Sequence, residues 1–172
     1  NNSEFRDVNV KLTNKICKLL NTYRKTSLYY ASSTQAELDN YYAKSKKEGE
    51  QICLDLNMKF KNNVFILRLP NIYGLGCKPN YNSVISTFCY NTANNIEHKI
   101  HDPNKVLEIV HIDDLCSQLN FLMENKKNCI FIKVENTYKI TIKELSDIIT
   151  NFKSIDSYSD FPYKSPKIEK NL

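Results

Sequence analysis

The segment Val64-Phe65-Ile66-Leu67-Arg68-Leu69 is a continuous apolar run broken only by Arg68 and stopped by Pro70. A strand without polar alternation is one buried on both faces, and such strands belong to parallel sheets whose crossovers are helices. The preceding sequence supplies both. Phe5, Val8, Leu12, Ile16, Leu19 and Leu20 recur at helical spacing over Glu4–Leu20, with Asn2 or Ser3 available as the cap. A polar turn over residues 21–25 leads to a β-favouring run, Thr26–Ala31, which meets three small hydroxyl side chains, Ser32, Ser33 and Thr34. Asp39 or Asn40 then caps a helix from about Tyr41 to Met58.

Beyond Pro70 a loop over residues 71–79 precedes a helix from about Asn82 to Thr92, and a short segment follows around Lys99 and Ile100. Val106–Ile112 is strand-like, Asp113 opens a helix carrying Leu115, Leu119, Leu122 and Met123, and Cys129–Val134 is a further strand. Thr141 and Glu144 make a capping box ahead of Leu145, Ile148 and Ile149. Past Phe152 the pattern dissolves into Ser, Asp, Lys and two prolines, so residues 154–172 read as a poorly ordered tail. The alternation predicts an α/β fold with a mostly parallel sheet and helices on both faces. The chain opens on a helix, as though the first βα units of such a sheet were missing. The expected divisions are residues 1–74, 75–153 interleaved with the last elements of the first part, and the tail 154–172.

Only three of the 172 residues are glycine, Gly49, Gly74 and Gly76. A loop that cradles phosphates needs two or three glycines within about six residues between a strand and a helix, and no such turn is present. Lys and Arg number 24 against 19 Asp and Glu, a net charge of +5, but the lysines are spread along the chain and interrupted by acids. That pattern predicts a solvated surface and no nucleic-acid partner. No window resembles a membrane span or a signal peptide, so the expectation is a cytoplasmic protein without a membrane partner. The six cysteines contain no CxxC pair and mostly sit in apolar runs, which predicts buried reduced thiols and no metal site. His98 and His101 have no third ligand beside them and read as an exposed loop.

The chemistry concentrates in Ser32-Ser33-Thr34-Gln35-Ala36-Glu37-Leu38-Asp39-Asn40-Tyr41-Tyr42-Ala43-Lys44-Ser45-Lys46. Residues four apart share a helix face, so Tyr42 and Lys46 can reach a common site. An isolated tyrosine ionises near pH ~10 and is a sluggish acid–base at neutrality, whereas an adjacent ammonium favours the phenolate. A hydroxyl at the end of the preceding strand can hydrogen-bond the substrate oxygen whose proton the tyrosine gives or takes. Such a group suits the interconversion of carbonyl and alcohol. A Tyr-x-x-x-Lys pair alone is common in a chain with eleven tyrosines. Its context, a Ser/Thr-ended strand before it and Arg68-Leu69-Pro70-Asn71-Ile72-Tyr73-Gly74 after it, gives the pair its meaning.

In these residues the sequence resembles the extended short-chain dehydrogenase/reductase family of sugar-nucleotide epimerases, dehydratases and reductases. Tyr42 and Lys46 match its Tyr-x-x-x-Lys, with Ala43 where glycine is usual, and Thr34 or else Ser33 falls at its catalytic hydroxyl. Asn9, Val10 and Thr13 look like its Asn-Val-x-Gly-Thr signature with Leu12 in place of glycine. Arg68, Asn71, Tyr73 and Gly74 match Arg-x-x-Asn-x-Tyr-Gly, and His111–Asp114 matches its later strand-to-helix step. Leu107 and Glu108 stand where many relatives carry an Arg. The short interval from Thr34 to Tyr42, and Cys77-Lys78-Pro79-Asn80-Tyr81-Asn82-Ser83, are similar to the capsular polysaccharide reductases of that family.

The resemblance implies a Rossmann-like fold lacking its first βα units, with part of a small substrate-binding subdomain in the second half. It implies NADPH, with NAD as the other nicotinamide cofactor, and reduction of the C4 ketone of a UDP-linked 2-acetamido-2,6-dideoxy sugar. The implied catalytic residues are Tyr42, Lys46 and Thr34 or Ser33. The implied cofactor contacts are Asn9, Tyr42, Lys46, Pro70 and Asn71, and the implied substrate contacts are Asn71, Lys78, Asn80, Asn82 and Ser83. The partners implied are the UDP-sugar and a second copy in a homodimer. Two other readings stand beside this one: a 4-epimerase or dehydratase that retains NAD, and an inactive truncated chain that binds a nucleotide sugar. Dehydration needs an acid and a base beside the hydroxyl, and here Gln35 and Ala36 follow Thr34.

Overall fold

A computed structural model describes residues 2–23, 26–125 and 130–154. The chain divides into two compact units, Asn1–Pro70 with Leu122–Val134, and Asn71–Phe121 with Glu135–Leu172. The tail expected beyond Ser154, and Cys129 at the head of the expected last strand, lie outside the described residues.

The first unit opens with one helical run: α1 (Asn2–Arg6), a π-helical turn (Asp7–Leu12) and α2 (Thr13–Thr22). Of the apolar residues that announce this helix, Leu20 packs on the core but most do not face inward. Val8, Leu12, Ile16 and Leu19 are 41–65% exposed, while Val10, Thr13 and Cys17 are buried. The inward stripe uses smaller side chains because the next long helix passes close by. A Cβ built on Gly49 of that helix would lie 2.7 Å from the Asn9 carbonyl oxygen.

Strand β1 (Leu28–Ser33) pairs in parallel with β2 (Val64–Leu69) from Leu28 opposite Val64 to Ser33 opposite Leu69. The crossover between them is α3 (Tyr41–Phe60), capped by Asn40, whose Oδ1 accepts from the Ala43 N–H at 2.8 Å. Such a cap contributes about 1 kcal/mol. Helix α3 closes on Lys61 in the left-handed conformation, φ 60°. Beside it the fully buried Asn62 donates from Nδ2 to the Leu20 and Tyr23 carbonyls at 3.2 and 3.4 Å. These bonds hold the entry to β2 against the end of α2. Helices α2 and α3 cover one sheet face through Cys17, Cys53, Leu56, Val64 and Ile66. Strand alternation sends Tyr29 and Phe65 to the other face, where their rings stack at 4.7 Å. There the Tyr29 hydroxyl donates to the Leu122 carbonyl.

In the second unit β3 (Asn71–Tyr73) pairs in parallel with β4 (Val106–His111), and β4 pairs antiparallel with β6 (Tyr138–Thr141). Helices α4 (Val84–Ala93) and α6 (Ile142–Asn151) complete a core of Tyr73, Ile85, Phe88, Ile109, Ile140, Leu145 and Ile149. The capping box is present, with Thr141 Oγ1 accepting from the Glu144 N–H and Glu144 Oε2 accepting from the Thr141 N–H. Helix α5 (Ile112–Glu124) follows β4 directly and ends in the first unit, where β5 (Phe131–Ile132) pairs in parallel with Ile66 and Leu67. The fold is therefore α/β with mostly parallel pairing, expressed as two three-stranded sheets among the described residues.

Some local expectations differ from the structure. His98 is not an exposed loop residue: Nδ1 lies 2.7 Å from Ser146 Oγ, Nε2 lies 2.9 Å from Thr92 Oγ1, and the ring stacks on Phe88 at 4.2 Å. The apolar face of Phe88, the Phe88 carbonyl 3.1 Å from Nε2, and the two hydroxyls draw it against the second core. Cys17 and Cys53 are buried thiols as expected, but Cys77 and Cys89 are half-buried and Cys116 is exposed on α5.

Candidate active site

Helix α3 brings Tyr42 and Lys46 together one turn apart, both half-buried. Lys46 Nζ lies 5.8 Å from the centre of the Tyr42 ring and 5.7 Å from that of Tyr30, within cation–π reach of both. It donates to the Ala31 carbonyl at 3.0 Å, which ties α3 to the end of β1. Burial pulls the Lys46 ammonium below its usual range, opposed by the charge of Glu50. The far side of Tyr42 meets Phe5 edge-on at 5.4 Å.

The three hydroxyls at the end of β1 have separate duties. Ser32 is buried and its Oγ donates to Glu50 Oε1. Ser33 is buried and its Oγ accepts from the Gln35 N–H at 3.1 Å, capping a 3₁₀ turn over Thr34–Glu37. Thr34 is exposed as the first residue of that turn. Asn9, from the π-helical turn, donates from Nδ2 to Ser45 Oγ at 2.9 Å, and Ser45 Oγ donates to the Tyr42 carbonyl at 2.7 Å. Asn9 is thus bonded to the helix that carries Tyr42.

Beneath this group lies a network that the motif reading misses. Glu50, 3% exposed and one turn beyond Lys46, accepts from Arg68 Nε at 2.9 Å and from Arg68 Nη2 at 2.7 Å. Arg68 Nη1 donates to Glu37 Oε1 at 2.6 Å, and Lys47 Nζ donates to Glu37 Oε2 at 3.2 Å. Lys47 and then Arg68 hold the Glu37 carboxyl below the usual carboxylate range. The single charge inside the β2 run and a carboxylate four residues past Lys46 on α3 were the available signal.

Gly49 completes the arrangement. A Cβ there would meet Tyr30 Oη at 2.1 Å and Cζ at 2.9 Å, so only glycine lets α3 lie this close to β1. Burial pushes the Tyr30 phenol up to about 12.

Of the residues expected to touch cofactor or substrate, Asn9, Tyr42, Lys46 and Pro70, the last buried, belong to the first unit, and Asn71, Lys78, Asn80, Asn82 and Ser83 to the second. Asn71 Nδ2 donates to the Glu108 carbonyl at 3.0 Å, joining β3 to β4. Asn80 adopts φ 55° and its N–H donates to Thr87 Oγ1 at 2.9 Å. Ser83 caps α4, its Oγ accepting from the Ser86 N–H. Asn82 is exposed beside it, and Lys78 Nζ stands 5.7 Å from the Tyr81 ring. Gly74, at φ 144°, leaves no room for a Cβ, which would fall 2.5 Å from Ile112 Cγ2. Among the described residues no group of three His, Cys, Asp or Glu is placed to hold a metal ion, and no helix is long and apolar enough to cross a membrane.

The sequence model of the NAD dependent epimerase/dehydratase family matches residues 1–132. Over 153 residues the chain is 35% identical to a UDP-2-acetamido-2,6-beta-L-arabino-hexul-4-ose reductase of Pseudomonas aeruginosa, covering 88% of this chain and 41% of that protein. The crystal structure of the capsular polysaccharide assembling protein CapF from Staphylococcus aureus superposes with a TM-score of 0.78 at 34% identity, covering 92% of this chain and 45% of that one. A dTDP-glucose 4,6-dehydratase from Bacillus anthracis in complex with NAD shares the fold with a TM-score of 0.81 at 19% identity, over 93% of this chain and 56% of that one. The chain therefore spans less than half the length of the reductase and of CapF.

Proposed function

The chain belongs to the NAD dependent epimerase/dehydratase family, and from that premise we propose that it carries the proton-transfer residues of an NADPH-dependent reductase acting on the C4 ketone of a UDP-linked 2-acetamido-2,6-dideoxy sugar in surface polysaccharide synthesis. The observation that carries this reading is the pairing of Tyr42 and Lys46 on one face of α3, with Lys46 bonded to the hydroxyl-bearing end of β1.

The residues present fit the nicotinamide end of the cofactor. The phenol of Tyr42 and the half-buried ammonium of Lys46 are two donors one turn apart, suited to a ribose and a reacting oxygen. A nicotinamide cofactor held there would supply the hydride that reduces C4. Tyr42 gives its proton to the developing alkoxide, and Lys46 orients the phenol and holds the ribose hydroxyls. Thr34 polarises the ketone by donating to its oxygen. Of the two candidate hydroxyls Thr34 is the accessible one, because Ser33 is buried with its oxygen turned to the Gln35 N–H. Asn9 holds α3 through Ser45, and Pro70 and Asn71 lead the chain into the second unit. There Asn71, Lys78, Asn80, Asn82 and Ser83 are proposed to contact the UDP-sugar, Lys78 meeting its diphosphate. Reduction is favoured over dehydration because Glu37, the nearest acid after Thr34, is engaged by Arg68 and Lys47.

A homodimer is part of the same reading. Phe5, Val8, Leu12, Ile16 and Leu19 form an exposed apolar stripe on the first helical run, a surface suited to burial against a second copy. We place the protein in the cytoplasm.

The test is NADPH consumption by the full chain on addition of a UDP-linked 4-keto-6-deoxy amino sugar. Tyr42→Phe is expected to abolish it, and Thr34→Ala to reduce it more than Ser33→Ala. Turnover retained in Tyr42→Phe refutes the assignment. Interconversion of C4 epimers with no NADPH consumed would replace it by the epimerase reading.

A further inference from the structure

Glu50 has no step in the proton transfer proposed above, yet its side chain is buried and both of its oxygens are in use. Oε1 accepts from Ser32 Oγ at 2.5 Å and from Arg68 Nε at 2.9 Å, and Oε2 accepts from Arg68 Nη2 at 2.7 Å. Ser32 directly follows Ala31, whose carbonyl receives the Lys46 ammonium. Side chains one turn apart on α3, Lys46 and Glu50, therefore grip consecutive residues of β1. Both grips sit immediately before Ser33 and Thr34. Arg68 extends the hold from β2 to the turn that starts at Thr34, through Glu37.

The charges in this cluster are arranged for the same end. Facing Lys46 are Tyr30 and the Ala31 carbonyl from β1, and Tyr42 and Glu50 from α3. Facing Glu50 are Ser32 and Tyr30 from β1, Arg68 from β2, and Cys53 and Lys46 from α3. Among these groups Glu50 is the carboxylate on the Lys46 face of α3. Burial acts to discharge the ammonium, and the negative charge one turn away acts to keep it.

We propose that Glu50, clamped by Arg68, is a positioning residue for the Tyr42–Lys46 pair: it fixes the end of β1 against α3 through Ser32 and supplies the negative charge against which the half-buried Lys46 ammonium stands. The inference rests on the reading of Tyr42 and Lys46 as the acid–base pair. Arg68 has a role distinct from ligand binding here, since its fork is spent on two carboxylates.

The test titrates Lys46 in the full chain carrying carbon-13-labelled lysine, its resonance assigned by its loss in Lys46→Arg. Glu50→Gln keeps the shape and removes the charge. It is expected to lower the Lys46 midpoint by about half a pH unit, a roughly threefold change in the ratio of ammonium to amine. Glu50→Asp keeps the charge and should restore most of that shift. An unchanged Lys46 midpoint in a folded Glu50→Gln chain overturns the proposal. Should Glu50→Gln fail to fold, Glu50→Asp decides alone, since withdrawing the carboxylate by one methylene must lower the midpoint by part of that amount. In the reductase assay the alkaline limb of the rate profile should move with the titration. A wild-type chain that turns over no 4-keto sugar defeats the functional reading separately, because the lysine titration needs no substrate.

Discussion

Gly49→Ala sets two well-known effects against each other, and the structure says which wins. In a helix interior alanine is favoured over glycine by about 1 kcal/mol. At position 49 the new methyl would stand 2.1 Å from Tyr30 Oη, 2.9 Å from Tyr30 Cζ and 2.7 Å from the Asn9 carbonyl oxygen. Ordinary contact requires the Tyr30 tip to withdraw by more than an ångström while the backbone of the first helical run backs away as well. Overpacking of this kind costs about 1–3 kcal/mol, and a clash with backbone belongs at the upper end. The balance is a loss of about 2 kcal/mol, which for a chain of this size lowers Tm by about 4–8 °C. Thermal and urea unfolding followed by circular dichroism measure it. The double variant Tyr30→Phe/Gly49→Ala removes the shortest contact and is expected to recover about half of the loss. A Gly49→Ala chain as stable as the wild type, or more so, would refute the claim that α3 is seated by this glycine.

Three further outcomes follow from the same elements. The Tyr30 phenol, raised by burial to about 12 from an unfolded value near 10, contributes stability present below about pH 10 and lost as pH rises through about 12, so Tyr30→Phe should flatten alkaline unfolding in that window. Arg68→Leu leaves Glu50 buried without its cation and should cost about 3 kcal/mol in urea unfolding, whereas Glu37→Gln, whose carboxylate is exposed, should leave the urea midpoint nearly unchanged. Leu12→Asp places a charge in the exposed stripe and is expected to yield a monomer by sedimentation; a chain that sediments as a dimer with and without the change would remove that stripe from the assembly.

The β2 run and the capping box were fully legible, because burial on both faces and a local hydrogen-bond pair leave unambiguous patterns in the residues themselves. Tyr42 and Lys46 were legible for the same reason, since helical spacing alone puts them on one face. The first helix shows the limit of periodicity. Its strongest apolar stripe, Val8, Leu12, Ile16 and Leu19, faces out, and the inward stripe of Val10, Thr13 and Cys17 is weak because close packing on α3 selects small side chains. Strand β6 escaped notice because its pairing with β4 spans some thirty residues of sequence and only Ile140 of its four residues is buried. The Glu50–Arg68 pair was visible only as two isolated charges until the strand and helix that carry them were in register.

The return of the chain to the first unit through Leu122–Val134 has a consequence for synthesis. Val64–Leu69 leaves the ribosome long before Phe131 and Ile132, the residues that close its free edge at Ile66 and Leu67. Until then β2 presents unpaired backbone and four apolar residues that the folded chain buries, Val64 to Leu67, while the whole 71–121 segment is being made. A nascent chain in that interval is the species most exposed to misassembly through strand pairing, and slowing translation after residue 70 should lengthen its lifetime.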